Sequence, residues 1–217
     1  MEGLFSNDQP FNGSLDGKGH SIRNVMNTTC MFNAVGETGS IKNLIIDGLV
    51  LNVSASNAMF VNYNYGKIED VSLLNVSTGG EYGKGGICWQ NNGTIKKCTI
   101  TGSLTASITS RGSRTGELGG IAVVNTSTGK IFNCSVNVDM KYSCPDRWEH
   151  RAGMIVATNS GLISNTTVSG SFDAPNWKNY WCTAGTLVGV NEGTIQKCAS
   201  IATTNCDDIG SNGGTVN

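Results

Sequence analysis

The side chains best suited to bind a ligand lie in three segments that lengthen successive copies of a repeated unit. They combine tryptophan and tyrosine with arginine and histidine: Arg111, Arg114, Arg147, Trp148, His150, Trp177, Tyr180 and Trp181. An indole face stacks on the apolar face of a sugar ring while polar neighbours bond its hydroxyls, and the same residue types dominate protein–protein hot spots. The pattern therefore predicts a surface that binds a glycan or a surface protein. The sequence leaves open the alternative that these aromatic side chains only cover an apolar wall of the fold.

The cysteines divide into two groups. Cys144 and Cys182 lie at the edges of two neighbouring segments, where a disulfide would clamp the binding surface, and Cys206 is the rival partner for either. The total of eight cysteines is even, which permits disulfides in a secreted protein. A second set recurs at one inward position of the repeat, where we expect free buried thiols: Cys98, Cys134 and Cys198.

Four acidic residues near the same segments offer the alternative of catalysis: Asp139, Asp146, Glu149 and Asp173. Glycoside hydrolysis needs two carboxyl groups about 5–10 Å apart, and Arg147 and Arg151 could assist. Because no spacing singles out a pair, a non-catalytic domain is favoured and a polysaccharide-active lyase or hydrolase is the alternative. The two histidines, His20 and His150, are remote in sequence, and no cysteines have the spacing of a zinc site. We therefore expect neither a metal nor a cofactor.

Composition excludes several classes of partner. The formal net charge is −1 and charged residues make up 14% of the chain, so nucleic acid and anionic membranes are not expected partners. No apolar run reaches the roughly 18–20 residues of a membrane-spanning helix, so membrane insertion is not expected. The 29 glycines, interleaved with short runs of isoleucine, valine and threonine, predict an all-β chain.

A repeated Gly-x-Ile step organises the chain. Its glycine recurs at intervals of 27, 27, 36, 32 and 32 residues: Gly39, Gly66, Gly93, Gly129, Gly161 and Gly193. An isoleucine follows two residues later in every copy: Ile41, Ile68, Ile95, Ile131, Ile163 and Ile195. Further small or apolar positions recur five and seven residues after the glycine, as expected for inward-facing residues of one strand. Strand and corner alternate in this unit, which predicts one coil of a β-solenoid.

Two features of the repeat predict where the chain turns. A polar pair such as Lys96-Lys97 interrupts the alternation and predicts a corner where the chain changes sheet. The Asn-x-Gly step, for example Asn91 to Gly93, predicts another corner, because asparagine and glycine adopt positive φ at low cost. The three longer copies carry their extra residues at equivalent places, so these insertions should gather on one face of the solenoid.

The repeat boundaries describe a single domain over residues 1–217. Residues 1–30 form an N-terminal segment outside the repeat register, residues 31–209 form about six coils, and residues 210–217 begin a further coil that is cut off. We therefore expect a fragment of a longer protein. The alternative is that exposed strand edges at the two ends associate, so that copies stack end to end into a fibre.

The N-terminal segment also carries a resemblance to a family. It reads Phe11-Asn12-Gly13-Ser14-Leu15-Asp16-Gly17-Lys18-Gly19-His20-Ser21-Ile22, and steps of the type Gly-x-Ile-x-Asn-Cys follow it. Over residues 11–217 this pattern resembles the GLUG-motif repeat proteins. The resemblance implies a right-handed parallel β-helix and an extracellular or cell-surface location, and it implies no particular reaction. With the aromatic segments, it favours a surface domain for adhesion or ligand binding.

Overall fold

The computed structural model describes residues 5–27, 29–52, 57–79, 84–107, 116–143, 149–175 and 182–217. Within these ranges the chain is all-β, without a helix, and its strands pair in parallel between successive repeats. The strands belong to three sheets of sixteen, seven and five strands. This architecture confirms the predicted parallel β-solenoid. Nowhere in these ranges is there a helix long and apolar enough to cross a membrane.

The first strands vary in length from two to 13 residues: β1 (Ser14–Asp16), β2 (Ser21–Arg23), β3 (Met26–Asn27), β4 (Phe32–Val35), β5 (Ser40–Asp47), β6 (Val50–Asn52), β7 (Asn57–Ala58), β8 (Val61–Asn64) and β9 (Lys67–Gly79). The middle strands follow: β10 (Lys84–Gly85), β11 (Cys88–Asn91), β12 (Thr94–Lys96), β13 (Thr99–Ser107), β14 (Glu117–Gly119), β15 (Ala122–Asn125), β16 (Lys130–Phe132) and β17 (Ser135–Ser143). The last strands are β18 (His150–Gly153), β19 (Val156–Asn159), β20 (Leu162–Ser164), β21 (Thr167–Asp173), β22 (Cys182–Gly185), β23 (Val188–Asn191), β24 (Thr194–Gln196), β25 (Ala199–Ser200), β26 (Thr203–Thr204), β27 (Ile209–Asn212) and β28 (Thr215–Val216).

One coil is the passage from β10 to β13. β10 lies in the five-stranded sheet, β11 in the seven-stranded sheet, and β12 and β13 in the sixteen-stranded sheet. The next coil, β14 to β17, sets each strand beside its counterpart, with Ile95 opposite Ile131 in the register of β12 and β16. The unequal repeat lengths in the sequence therefore leave the strands in register, because the extra residues fall between strands.

The isoleucines of the Gly-x-Ile step form one buried column. From Ile41 to Ile195 each is at most 1% exposed. A second column, at or directly before the first residue of the strands of the seven-stranded sheet, is also buried: Phe32, Phe60, Ile87, Ile121, Ile155 and Leu187. Fully burying such a side chain contributes roughly 1.5–3 kcal/mol. A single coil cannot cover either column, so the favourable burial arises only when coils stack.

A left-handed residue is present at the polar pair, but the predicted change of sheet there is wrong, because the chain stays in the sixteen-stranded sheet. The second residue of the pair has positive φ in every copy: Asn43 (53°), Asp70 (51°), Lys97 (54°), Asn133 (56°), Asn165 (46°) and Lys197 (51°). This residue turns the backbone so that the next side chain, such as Cys98, points inward again. Asparagine and aspartate tolerate this conformation better than lysine does, which explains why four of the six copies carry them.

The Asn-x-Gly step was expected to need positive φ, and this explanation is wrong. None of its asparagines or glycines has a positive φ. Instead, the asparagine side chains point inward and form a hydrogen-bonded ladder along the solenoid. Each Nδ2 donates to the Oδ1 of the next coil at 2.7–2.8 Å. The ladder runs through Asn64, Asn91, Asn125, Asn159, Asn191 and Asn212, and all but the last are fully buried.

The glycine of this step is required by the neighbouring coil. A Cβ built on Gly161 would lie 2.3 Å from the Gly129 carbonyl oxygen, and one on Gly193 would lie 2.2 Å from that of Gly161. Gly66, Gly93 and Gly214 meet the glycine of the preceding coil in the same way. The glycine therefore recurs because it lets two backbones approach closely, and its conformational freedom is not used.

The sequence suggested that the N-terminal segment lies outside the repeat register, but in the structure residues 11–27 continue the repeat. Leu15 pairs with Ile41 and so continues the isoleucine column by one coil, and Ile22 pairs with Ile46. Leu15 is 36% exposed because no described strand covers its other side. The copy was missed because leucine replaces the isoleucine in Gly13-Ser14-Leu15. At the C-terminal end, Val216 pairs with Ile195. This pairing agrees with the prediction that residues 210–217 begin a further coil.

Candidate functional site: the insertion corner

The three long connections start and finish at the same corner of successive coils, which we call the insertion corner. β13, β17 and β21 end there in register, with Ser107 opposite Ser143 and Lys141 opposite Asp173. β14, β18 and β22 begin there in register, with Glu117 opposite Arg151 and His150 opposite Cys182. The connections between these strands are therefore anchored one above another along the solenoid axis.

Most of the predicted ligand-binding residues fall in the connections themselves. Residues 108–115, 144–148 and 176–181 lie outside the described ranges, and they contain the following: Arg111, Arg114, Arg147, Trp148, Trp177, Tyr180 and Trp181. His150 is the one predicted binding residue that the structure describes. The binding role of the other residues stays a prediction.

His150 occupies a different environment from the one expected. As the first residue of β18 it points inward, like Ala152 two residues later, and both are fully buried. Neither Nδ1 nor Nε2 has a hydrogen-bond partner. Burial lowers the pKa of the imidazole below its ordinary value, and the nearby Gly116 carbonyl opposes this shift. His150 is therefore a neutral side chain of the interior, and its role in ligand binding stays a prediction.

The Gly116 carbonyl is already used by a second buried polar side chain. The Tyr142 hydroxyl donates a hydrogen bond to it, and the Tyr142 side chain is 1% exposed. Burial and the nearby Glu117 carboxylate raise the pKa of Tyr142 well above its ordinary value, so the hydroxyl stays protonated. Tyr142 was not among the residues predicted from the sequence. The alternation Val136, Val138, Met140, Tyr142 along β17 was the signal that could have placed it inside.

Charged residues on β10, β14 and β18 lie at the same corner as this buried pair. Burial raises the pKa of Glu117, and Arg151 opposes that shift. Arg151 also pairs with Glu149 at 3.1 Å and donates to the Thr158 hydroxyl at 3.3 Å. One coil earlier, Lys84 begins β10 with its side chain fully buried, and burial lowers its pKa to about 8. The insertion corner thus adds three buried polar side chains, Lys84, Tyr142 and His150, to a core that is otherwise apolar apart from the asparagine ladder and a few threonines.

The cysteines follow the expected division as far as the described residues reach. Cys182, at the insertion corner, is disulfide-bonded. Its predicted partner, Cys144, lies outside the described ranges, so this pairing stays a prediction. Cys206, the rival partner, is a free thiol, as are Cys30 and Cys88. The inward column is free as predicted: Cys98 and Cys134 are buried, and Cys198 is partly exposed.

The described acidic residues of the catalytic alternative each have a local partner. The Ser171 hydroxyl donates to Asp139 at 2.8 Å, and Asn205 Nδ2 donates to Asp173 at 3.1 Å. Glu149 is held by Arg151, and Asp146 lies outside the described ranges. Local hydrogen bonds of this kind are ordinary for structural surface acids. Among the described residues, no cluster of three or more histidine, cysteine, aspartate or glutamate side chains could hold a metal ion.

The outer face beside the insertion corner is lined by hydroxyl and amide groups. A shallow depression of about 430 Å³ crosses β9, β13 and β17 and is lined by the following: Asn75, Val76, Thr101, Gly102, Ser103, Asn137, Val138 and Asp139. Gly102, with φ of 133°, lies against the Val76 backbone and leaves the middle of this depression without a side chain. The polar side chains stand on either side of it on neighbouring strands, which are about 4.8 Å apart.

No protein-family model matches the chain, and no curated protein does. The resemblance to GLUG-motif proteins therefore stays an expectation.

Proposed function

We propose that this chain is a non-catalytic domain of an extracellular or cell-surface protein that binds a glycan at the insertion corner. The observation that carries the proposal is the register of the strands on either side of the three insertions. Because the ends are anchored one above another, residues contributed by three coils can act on one ligand.

The residue types of the insertions suit a sugar ligand. The three insertions contain three of the four tryptophans, and Arg111, Arg114 and Arg147 lie among them. Aromatic faces with polar neighbours suit the apolar and hydroxyl faces of a sugar ring. The neighbouring hydroxyl- and amide-lined depression offers further hydrogen bonds to an extended glycan. A net charge of −1 gives no general attraction for polyanions.

A glycan array tests this proposal. We expect the wild-type protein to bind a subset of glycans, and Trp148→Ala combined with Trp177→Ala to weaken binding at least about 30-fold. This factor corresponds to two aromatic contacts of roughly 1 kcal/mol or more each. Trp89→Ala is the matched control, because Trp89 lies on β11 away from the insertions, and it should bind as the wild type does. No binding by the wild type, or equal binding by the double variant, would contradict the proposal.

A further inference from the structure

His150 stands out among the buried polar side chains of the described residues. The ladder asparagines, at the same depth, donate their Nδ2 hydrogen bonds to the neighbouring coil, whereas both ring nitrogens of His150 lack a partner. A buried polar group without a partner loses its hydration without replacement. The site is therefore poised to become less stable if the ring acquires a charge.

The surroundings of His150 offer little to a protonated ring. The nearby Gly116 carbonyl already accepts the Tyr142 hydroxyl. In the register of β18 and β22, His150 lies opposite Cys182, which is disulfide-bonded and carries no charge. Among the described residues, the charged groups near the starts of the strands at the corner are Glu117, Arg151 and Lys84, from β14, β18 and β10, and Glu149 next to His150 in sequence pairs with Arg151. Lys141 and Asp173, near the ends of β17 and β21, are exposed on the outer face. Among these groups the acceptor that favours a protonated ring is the Gly116 carbonyl, which it would share with Tyr142, and burial outweighs it.

We propose that His150 is a proton-sensitive latch, such that proton uptake by its ring opens the insertion corner locally while the flanking coils stay folded. His150 is well placed for this, because it is the first residue of β18 and directly follows one of the insertions. Opening the corner would expose the ring to water and leave the asparagine ladder and the isoleucine column intact. An effect of this opening on ligand binding rests on the proposed function, whereas the opening itself does not.

The direction of the pH dependence follows from the two environments. In the closed form burial lowers the pKa of His150, and in the open form the ring has its ordinary value of about 6.5. Above that value the ring is neutral in both forms and proton binding contributes nothing to opening. Below it the open form binds more protons, so falling pH favours opening. One proton changes the opening equilibrium by at most about tenfold per pH unit.

Two other groups of the corner titrate and must be separated from His150. Burial raises the pKa of Glu117, so this carboxyl takes up its proton at a higher pH than usual. The pKa of Lys84 is lowered to about 8, above the window in which the latch acts. A Glu117→Gln variant therefore distinguishes the carboxyl from the imidazole.

Hydrogen exchange between pH 7.5 and 5.5 tests the latch without a ligand. We expect protection of residues 116–119 and 150–153 to fall by up to about tenfold per pH unit below 6.5, while residues 94–104 keep their protection. His150→Gln should abolish this dependence. His20→Gln, which changes the other histidine, and Glu117→Gln should both retain it. An equal dependence in wild type and His150→Gln, or its loss in Glu117→Gln, would overturn the proposal.

A second measurement needs no variant. With only two histidines in the chain, the imidazole signals can be assigned by NMR and followed against pH. The His150 signal should titrate below the ordinary value of about 6.5, in step with the loss of protection. A titration at or above that value would overturn the latch. Because neither measurement involves a glycan, a failure of the latch is distinguishable from a failure of the proposed binding function.

Discussion

Replacing Asn125 with alanine should lower the free energy of unfolding by roughly 2–4 kcal/mol. Asn125 is fully buried in the middle of the asparagine ladder. Its Nδ2 donates to Asn159 Oδ1 at 2.8 Å and to the Gly129 carbonyl at 3.3 Å, and its Oδ1 accepts from Asn91 Nδ2 at 2.8 Å. The substitution leaves Asn91 Nδ2 with only the Lys130 carbonyl at 3.4 Å. Each buried group that loses its partner costs about 1–3 kcal/mol.

Asn137→Ala is the matched control for this prediction. Asn137 lies on β17, in the coil that contains Asn125, and its side chain points outward and is exposed. Its replacement should change stability by less than about 0.5 kcal/mol. Urea unfolding of both variants, followed by circular dichroism, makes the comparison. Equal stability losses would mean that the ladder contributes no more than a surface amide.

Replacing Gly161 with alanine should cost about 3 kcal/mol or more, or prevent folding. The added Cβ would lie 2.3 Å from the carbonyl oxygens of both Gly129 and Thr126, and 2.8 Å from Asn125 Nδ2. The Gly129 carbonyl cannot move freely, because it accepts the Leu162 N–H at 3.0 Å between two coils. The methyl group would therefore separate the coils at this corner and strain the ladder beside it.

Gly213→Ala provides the control at an equivalent turn. A Cβ on Gly213 would meet only the Asn191 carbonyl oxygen, at 3.9 Å, and Gly213 has no positive φ. We expect a change of less than about 1 kcal/mol, in either direction, because alanine also reduces the freedom of the unfolded chain. Thermal unfolding of the two variants measures the difference. A Gly161→Ala protein as stable as Gly213→Ala would show that the coils can move apart without cost.

The solenoid could be predicted from the sequence because stacking repeats the same demand in each coil. The isoleucine of Gly-x-Ile never varies from Ile41 to Ile195, so its column was visible without a structure. The reason for the Asn-x-Gly step was not visible. A sequence pattern cannot distinguish an asparagine needed for positive φ from one whose side chain donates a hydrogen bond to Asn159 or Asn191. Asparagine is suited to both roles.

The candidate site was predictable in position and less so in detail. The extra residues of the longer copies showed where the insertions start, and the paired ends of β13, β17 and β21 agree. The burial of His150 was missed, because the alternation of inward and outward side chains is interrupted by the insertion before β18 and cannot be carried across it. Tyr142, before the insertion, kept the alternation of β17 and could have been predicted to be buried.

The central claim is that the repeat is a scaffold and that binding resides in the insertions. The most direct test trims the three insertions to the four-residue connection, 80–83, that joins β9 to β10, and measures unfolding and glycan binding together. We expect the trimmed protein to unfold cooperatively as a β-protein and to lose glycan binding. A trimmed protein that binds the same glycans as the wild type, or one that no longer folds, would contradict the claim.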